Sequence, residues 1–327
     1  MMATPELDPV ALLVARSQTH WFFDGSDANS DTCAAIAHQA VAIRDTLRAC
    51  PSRAPILLLA AQPQIVVAWL SAAVSAGVPI FLGNPHWTVA ERDRVVQAID
   101  PELMVGPEPR LNFSDPPGFS RYEKKNYKLI PPNFVYHSPY LKRFPQVWGK
   151  STQLPQVHSH QGLPTSDLPP CQALPVENSE IFMLTGGSSG ALRFACHRWR
   201  TLLESVAGLR ASGRVSVADA PIDSFCLLPL YHVSGLMQWV RSLLSRGNFA
   251  VALGYPTPEL PLRFAQLPVE RYVISLVPTQ LQRMLQDHST ARWLARFHCV
   301  FWGEPPLGPV CCKRPEPKAL PWLPPTA

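Results

Sequence analysis

The feature that most restricts the fold is a stretch between Arg53 and Glu91 that contains no Lys, Arg, Asp or Glu. Its length alone would allow a membrane span. However, Gln62-Pro63-Gln64 and Gly77-Val78-Pro79 interrupt it, and both are typical of turns. The three remaining pieces are a strand at 56–60, a helix at 65–75 and a strand at 78–82. Because the strands of a parallel sheet are covered on both faces, they form continuous apolar runs, and we predict a buried β–α–β unit.

The same alternation of strands and helices continues on both sides of this unit. A helix is predicted at 31–47, and Thr88 with Glu91 forms a capping box that begins another helix. The further predicted elements are a helix at 200–212, helices at 235–244 and 279–286, and strands at 103–105, 224–228, 249–253, 272–276 and 299–302. This order predicts an α/β fold with a largely parallel sheet, and with ligands at the carboxyl ends of the strands.

Composition divides the chain into four predicted regions. Residues 107–177 hold 13 of the 36 prolines and separate an N-terminal α/β lobe at 1–106 from a second α/β lobe at 178–307. This segment is too long for an ordinary loop in a compact domain. It is either a flexible insertion between the lobes or, from about 112 to 169, the product of an altered reading frame. Residues 308–327 contain six prolines, through which a helix cannot run, and we expect an irregular tail left by a frameshift or a premature end.

The net charge of +5 comes from one segment. Residues 110–150 hold eight Lys or Arg against Asp115 and Glu123, a balance of +6, so the rest of the chain carries −1 (5 − 6). A role in nucleic acid binding is therefore not expected. The eight cysteines lack the spacing of a metal site, which favours a reduced, cytoplasmic compartment and no bound metal.

The candidate functional loop runs from Thr185 to Gly190 and follows the apolar run Ile181–Leu184, with Arg193 three positions beyond it. Glycine reaches positive φ without steric cost, so the backbone N–H groups and hydroxyls of such a loop can turn towards one anion. The ligand indicated is a phosphate. A P-loop is excluded because no Lys-Ser or Lys-Thr pair follows. Taken alone, the segment could also be a plain hairpin turn.

A serine hydrolase is the other alternative, because residues 186–190 also fit the nucleophile elbow, with Ser188 as nucleophile. Asp219 or Asp223, followed by His232 or His288, would complete a triad in the right chain order. The elbow requires a helix directly after the serine, whereas apolar residues alternate from 192 to 196, which is the period of a strand. A strand–loop–strand hairpin is therefore preferred.

That hairpin resembles the phosphate loop of the adenylate-forming superfamily, in which Pro and Lys usually stand where this chain has Leu192 and Arg193. The change from lysine to arginine keeps the positive charge but replaces a compact ammonium group by a planar guanidinium group with several N–H donors. Residues 229–236 and 275–281 resemble two further core motifs of that superfamily, and residues 63–76, 78–85 and 88–91 resemble its N-terminal part. Together, residues 185–195 and 230–236 are most similar to the o-succinylbenzoate–CoA ligases of cyanobacterial type, which serve phylloquinone and menaquinone synthesis. The fold expected from the resemblance is an incomplete α/β N-terminal domain, with two mostly parallel sheets flanked by helices and a Pro-rich insertion.

The resemblance implies ATP-dependent activation of a small aromatic carboxylic acid to an acyl-adenylate, followed by transfer to coenzyme A, with Mg²⁺ as the metal on ATP. His232 and Arg193 would be catalytic. Cofactor binding would fall to Thr185, Gly186, Gly187, Ser188, Ser189, Gly190 and Gly303. Substrate binding would fall to Tyr231, Ser234, Gly235, Ser275, Pro278 and Thr279.

Each of these roles has a structural alternative. His232 could be a half-buried histidine with satisfied partners, Gly303 could be a tight turn, and Ser275, Pro278 and Thr279 could simply begin a helix, with Thr279 as its N-cap.

Because the usual continuation after Gly303 and the mobile domain with its catalytic lysine are not found, we expect impaired activity. Two hypotheses follow: an acid–CoA ligase with reduced or absent turnover, and a non-catalytic fragment that binds a nucleotide or an acid.

Overall fold

The computed structural model describes residues 7–25, 30–50, 54–106, 175–185, 192–212, 220–302 and 310–313. Its helices are α1 Pro9–Ala15, α2 Ser30–Ala49, α3 Pro63–Ala76, α4 Val89–Ile99, α5 Trp199–Ala211, α6 Val233–Ser245, α7 Leu260–Arg263, α8 Pro278–Gln286 and α9 His288–Leu294. Its strands are β1 Phe22–Phe23, β2 Ile56–Leu58, β3 Ile80–Leu82, β4 Leu103–Val105, β5 Glu180–Thr185, β6 Arg193–Arg198, β7 Asp223–Cys226, β8 Phe249–Val251, β9 Tyr272–Leu276, β10 Cys299–Trp302 and β11 Val310–Lys313.

The strands form two sheets, each mostly parallel, which confirms the predicted fold class. The first has five strands in the order β4-β2-β3-β5-β6 and is parallel except where β6 pairs with β5. The second has six strands in the order β1-β8-β7-β9-β10-β11 and is parallel except where β11 pairs with β10.

A layer of helices lies between the two sheets. Apolar side chains of α1, α2, α3, α5 and α6 form one continuous core with the inner faces of both sheets. α4 covers the outer face of the first sheet, and α7 with the end of α9 covers the outer face of the second. Each sheet is thus covered on both faces, which is why its strands are continuously apolar.

The uncharged stretch folds as predicted, into β2, α3 and β3. From Ile65 to Ala76 every residue of α3 is buried, because the helix lies inside the central layer rather than at the surface, and a helix buried all round needs no polar face. Gly77 ends it in the left-handed conformation at φ 69°, and the predicted capping box of Thr88 and Glu91 begins α4. No helix in the described part of the chain is long and apolar enough to cross a membrane.

The two sheets do not follow the predicted division at 107–177. β3 pairs with β5 through Ile80 and Ile181, so the hairpin β5–β6 joins the sheet of the N-terminal segment. Conversely, β1 of the N-terminal segment joins the second sheet by pairing with β8. Each sheet therefore combines strands from both sides of the proline-rich segment, and the shared core follows from this exchange.

The prediction of an irregular tail at 308–327 is wrong over Val310–Lys313, which forms β11 antiparallel to β10. The prolines of the tail exclude a helix. None of the four residues Val310–Lys313 is a proline, so their backbone N–H groups can pair with the edge of a strand.

Candidate functional site

The loop at 186–191 lies outside the described residues, but both of its ends are fixed by the ladder between β5 and β6. Thr185 and Arg193 stand opposite each other in that ladder, and the Thr185 hydroxyl donates to the Arg193 carbonyl at 3.1 Å. A strand, and not a helix, thus begins five residues after Ser188. The nucleophile elbow of a hydrolase is excluded by this geometry.

Alternate side chains of β6 point to opposite faces of the sheet. Phe194 lies on one face, where its ring meets that of Phe81 at 5.1 Å. Ala195 and His197 lie on the other face and line a cavity. Arg193 has the same parity as these two residues and is exposed, so it stands on the cavity face at the end of the strand.

The cavity has a volume of about 730 Å³ and lies at the carboxyl ends of strands from both sheets. Its lining consists of Met183, Leu184, Thr185, Ala195, His197, Leu227, Leu228, Pro229, Tyr231, His232, Val233, Ser234, Gly254, Tyr255, Val277, Thr279 and Gln280. Most of the lining residues follow β7, β8 or β9, and three more form the end of β5; all four strands belong to parallel ladders. This is the position where open α/β sheets bind their ligands.

His232 is the N-cap of α6 and is held by its backbone. Its N–H donates to the Pro229 carbonyl at 3.1 Å, and its carbonyl accepts from the N–H groups of Gly235 and Leu236 at 3.1 and 2.9 Å. Its imidazole lies 4.7 Å from the ring of Tyr231. Although solvent reaches His232, the surrounding cavity walls remove part of its hydration and lower its pKa below the ordinary value.

Gly235 is buried beneath the loop that carries His232 and does not line the cavity. A Cβ at this position would collide with the carbonyl oxygen of Pro229 and would lie 2.7 Å from that of Leu228. The first turn of α6 therefore packs directly against the backbone that follows β7. Gly235 thus shapes the loop that carries His232, and its role in substrate binding stays a prediction.

α8 begins at Pro278, with Val277 as its N-cap. The expectation that Thr279 caps this helix is wrong, because Thr279 is the second residue of the helix and lines the cavity instead. Pro278 is exposed and does not line the cavity. Proline is favoured at the first helical position because a backbone N–H there would have no partner within the helix, so its absence costs nothing.

Ser275 lies in β9 beside the cavity and is occupied by protein contacts. Its hydroxyl accepts from Arg241 Nη2 at 3.1 Å, and its N–H donates to Gln238 Oε1 at 3.3 Å. Arg241 is 7% exposed, also donates to the Met237 carbonyl, and lies 5.6 Å from the ring centre of Phe301. Burial lowers its pKa to about 10. Ser275 therefore helps to hold a buried cation at the edge of the site.

The predicted site residues fall into three groups. Those that line the cavity are Thr185, Tyr231, His232, Ser234 and Thr279. Those that lie beside it are Arg193, Gly235, Ser275 and Pro278. Those outside the described residues are Gly186, Gly187, Ser188, Ser189, Gly190 and Gly303.

The lining residues that were not predicted as site residues include His197, Gly254, Tyr255 and Gln280. His197 is half-buried, and this burial lowers its pKa. The alternation along β6 could have indicated His197, since it shares a face with Arg193. Gly254 and Tyr255 line the cavity because they follow β8, and no local pattern marks them. Gln280 lies in the motif-like segment 275–281, but no role was assigned to it from the sequence.

The described lining contains no Asp, Glu, Lys or Arg. Its titratable groups are two imidazoles whose pKa values are lowered by burial and two tyrosines. A carboxylate placed in this cavity would meet no repelling carboxylate from the described walls. The walls combine apolar and aromatic surface with a few hydroxyl and imidazole groups, which is typical of a small-molecule site.

Comparison with known proteins gives both a family and a fold. The family model of the AMP-binding enzyme matches residues 29–318. A 2-succinylbenzoate–CoA ligase from Enterococcus faecalis is 25% identical over 146 residues, which cover 45% of this chain and 29% of that ligase. The chain thus matches less than a third of the length of this curated relative.

Several solved structures share the fold. The o-succinylbenzoate coenzyme A synthetase (MenE) from Bacillus subtilis, in complex with AMP, superposes with a TM-score of 0.58 at 14% identity, covering 90% of this chain and 68% of that one. A red-emitting luciferase from Phrixothrix hirtus gives 0.64 at 14% identity, covering 93% and 56%. ATP-bound MatB from Rhodopseudomonas palustris gives 0.60 at 16% identity, covering 91% and 55%. With most of its length matched by the family model and a cavity at the strand ends of the shared fold, this chain belongs to the AMP-binding enzyme family.

Proposed function

We propose that the chain binds ATP and a carboxylic acid in this cavity and joins them into an acyl-adenylate. In this reaction a carboxylate oxygen attacks the α-phosphorus of ATP, the bond from the α-phosphorus to the bridging oxygen breaks, and pyrophosphate leaves. The thiol of coenzyme A then attacks the acyl carbon and AMP leaves with the electron pair. The product is an acyl-CoA.

The observation that supports this proposal best is the meeting of two elements at one cavity. The end of the β5–β6 hairpin brings the Thr185 hydroxyl and the nearby Arg193 cation to one side, and the N-terminus of α6 brings His232 to the other. Transfer at phosphorus depends mainly on positioning and charge neutralisation. A cation and hydroxyls near the phosphates, facing an imidazole near the carboxylate, suit that requirement.

Each side has a distinct proposed task. Thr185, together with residues 186–190, would hold the β- and γ-phosphates, and Arg193 would neutralise part of their charge. Mg²⁺ would arrive bound to ATP. The hydroxyl oxygen of Thr185 is a ligand of the type that this ion prefers. His232 would lie where the acid meets the α-phosphate and, being neutral, would donate one N–H to an oxygen there without pairing with the carboxylate as a counter-ion.

For the acid, we propose 2-succinylbenzoate, in the synthesis of menaquinone or phylloquinone. The support is that both a curated relative and a solved structure of the same fold are named for this substrate. The wall contributed by Tyr231, Tyr255 and Val277 also suits an aromatic ring. We propose a cytoplasmic location, where ATP and coenzyme A are both available.

The test is exchange of labelled pyrophosphate into ATP in the presence of 2-succinylbenzoate, with benzoate and succinate as separate comparison acids. We expect exchange that depends on 2-succinylbenzoate and falls about 10²–10³-fold in His232→Ala. His288→Ala, at the exposed start of α9, is the matched control and should keep the wild-type rate. ATP binding without exchange would leave only a nucleotide-binding role, and absence of ATP binding would contradict the proposal.

A further inference from the structure

One side chain joins three neighbouring strand ends at the cavity. Gln280 is 5% exposed and lines the cavity from the first turn of α8. Its Nε2 donates to the carbonyls of Leu227 and Gly254 at 3.4 and 3.1 Å, and its Oε1 accepts from the Val277 N–H at 3.4 Å. Both donor hydrogens and the acceptor of the amide are therefore engaged.

The three partners are backbone groups that follow three adjacent strands. Leu227 follows β7, Gly254 follows β8 and Val277 follows β9, and all three line the cavity. They lie beyond the register pairs of the second sheet, and a backbone bond links two of them. Gly254 has φ 120°, a conformation that other residues rarely adopt, and its N–H also donates to the Leu227 carbonyl at 3.2 Å.

No other side chain offers this combination of bonds. Two carbonyls require two donors, and the Val277 N–H requires an acceptor, which only a neutral carboxamide supplies within one planar group. Glutamate would direct a carboxylate at two carbonyl oxygens, and methionine of similar length would leave three backbone groups, among them the buried carbonyl of Leu227, without this partner.

We propose that Gln280 is a positioning residue that fixes the floor of the acid-binding part of the cavity. This inference rests on the proposed function, because it assigns Leu227, Gly254 and Val277 to the surface against which the acid lies. The phosphate side, carried by the β5–β6 hairpin, belongs to the other sheet and does not contact Gln280 in any described hydrogen bond. Gln280 should therefore control affinity for the acid and not for the nucleotide.

The test compares the wild-type chain with Gln280→Met and with Gln282→Met, a matched change at an exposed position of the same helix. Calorimetry with ATP and, separately, with 2-succinylbenzoate measures both affinities. We expect Gln280→Met to weaken acid binding about tenfold, the size of one net hydrogen bond, and to change ATP binding less than about twofold. Gln282→Met should change neither.

The milder Gln280→Asn keeps the amide but is one methylene shorter. It should show the same selective loss at a smaller size, so that the selectivity can be measured even if Gln280→Met does not fold. Hydrogen exchange in the absence of ligand adds a second readout: peptides covering 252–256 and 277–279 should exchange faster in the Gln280 variants, whereas the peptide covering 223–226 should not.

Three results would overturn the inference. These are an unchanged affinity for the acid, an equal loss of affinity for acid and ATP, or unchanged exchange at 252–256 and 277–279. A wild-type chain that binds ATP but no acid would also overturn it, while the nucleotide part of the proposed function would stand. A wild-type chain that binds neither would contradict the proposed function itself.

Discussion

The two sides of the cavity are built in different ways. The β5–β6 hairpin, which carries Thr185 and Arg193, is held by a backbone ladder of six register pairs. The opposite side, formed by the starts of α6 and α8, is held by buried side chains, with Gln238 and Gln280 bonded to backbone groups and Arg241 bonded to Ser275. The exposed side chain of Arg193 at the end of the hairpin can thus contact a ligand, whereas many side chains on the helix side are committed to the fold.

Because of this difference, substitutions on the two sides should have separable effects on stability and on ligand affinity. On the helix side they should change the free energy of unfolding, because they remove buried contacts. At exposed positions of the hairpin such as Arg193 they should change ligand affinity and leave stability nearly unchanged, because the register pairs of the ladder are formed by backbone atoms.

The largest effect is expected for Gly235→Ala on the helix side. The added Cβ would meet the Pro229 and Leu228 carbonyls, which belong to backbone and cannot rotate away. We expect a loss of about 3 kcal/mol in the free energy of unfolding, measured by urea denaturation. Gly208→Ala in α5 is the control: it meets nothing within 4 Å and should add about 0.5–1 kcal/mol. Equal stabilities of the two variants would contradict the packing described for α6.

A smaller loss is expected for Ser275→Ala. The change removes the acceptor of Arg241 Nη2 and leaves a buried donor of a charged group with one partner fewer. The free energy of unfolding should fall by about 1–2 kcal/mol. Ser289→Ala, at an exposed position in α9, should stay within about 0.5 kcal/mol of the wild type. If Ser275→Ala is as stable as this control, the helix side does not depend on the contact.

The hairpin side is tested by Arg193→Gln and Arg193→Lys. Loss of a cation from the phosphate end should weaken ATP binding about tenfold in the glutamine variant, and lysine should retain most of the affinity. Arg198→Gln, at the other end of β6, is the control and should bind ATP as the wild type does. Both Arg193 variants should unfold within about 0.5 kcal/mol of the wild type. A large loss of stability with unchanged ATP affinity would reverse the comparison.

The smallest effect concerns pH. Burial lowers the pKa of His197 below its ordinary value of 6.5, so between the folded and unfolded pKa values the unfolded chain binds more protons. Stability should therefore fall as the pH decreases from about 6.5, and should level off below the folded pKa. His197→Gln removes this contribution, and its urea midpoint should depend less on pH between 8 and 5. An unchanged pH dependence would show that the imidazole is as well hydrated in the cavity as in the unfolded chain.

Most of the elements could be predicted from the sequence, because apolar runs and helix caps are local. β2, α3, β3 and the capping box of α4 are examples. What could not be predicted depends on pairing at a distance: β1 has two residues and exists only beside β8, and β11 exists only beside β10. The membership of β5 and β6 in the first sheet was also not predictable, since residues 107–177 separate them from β2–β4 along the chain.

The site was predictable where motifs mark it and not elsewhere. Thr185, His232 and Thr279 lie in motif-like segments, and all three line the cavity. Gln280 directly follows one of these residues, yet its importance comes from bonds to backbone groups 26 and 53 positions away. A property that arises from three converging strand ends leaves no local pattern in the sequence.

The central claim is that one cavity receives a nucleotide from the hairpin side and an acid from the helix side. The most direct measurement is a crystal structure of the chain with a non-hydrolysable sulfamoyl mimic of the 2-succinylbenzoyl-adenylate. We expect the sulfamoyl group between Thr185 and His232, with the aromatic acid against Val277 and Gln280. A mimic bound away from this cavity, or one that does not bind at millimolar concentration, would contradict the account.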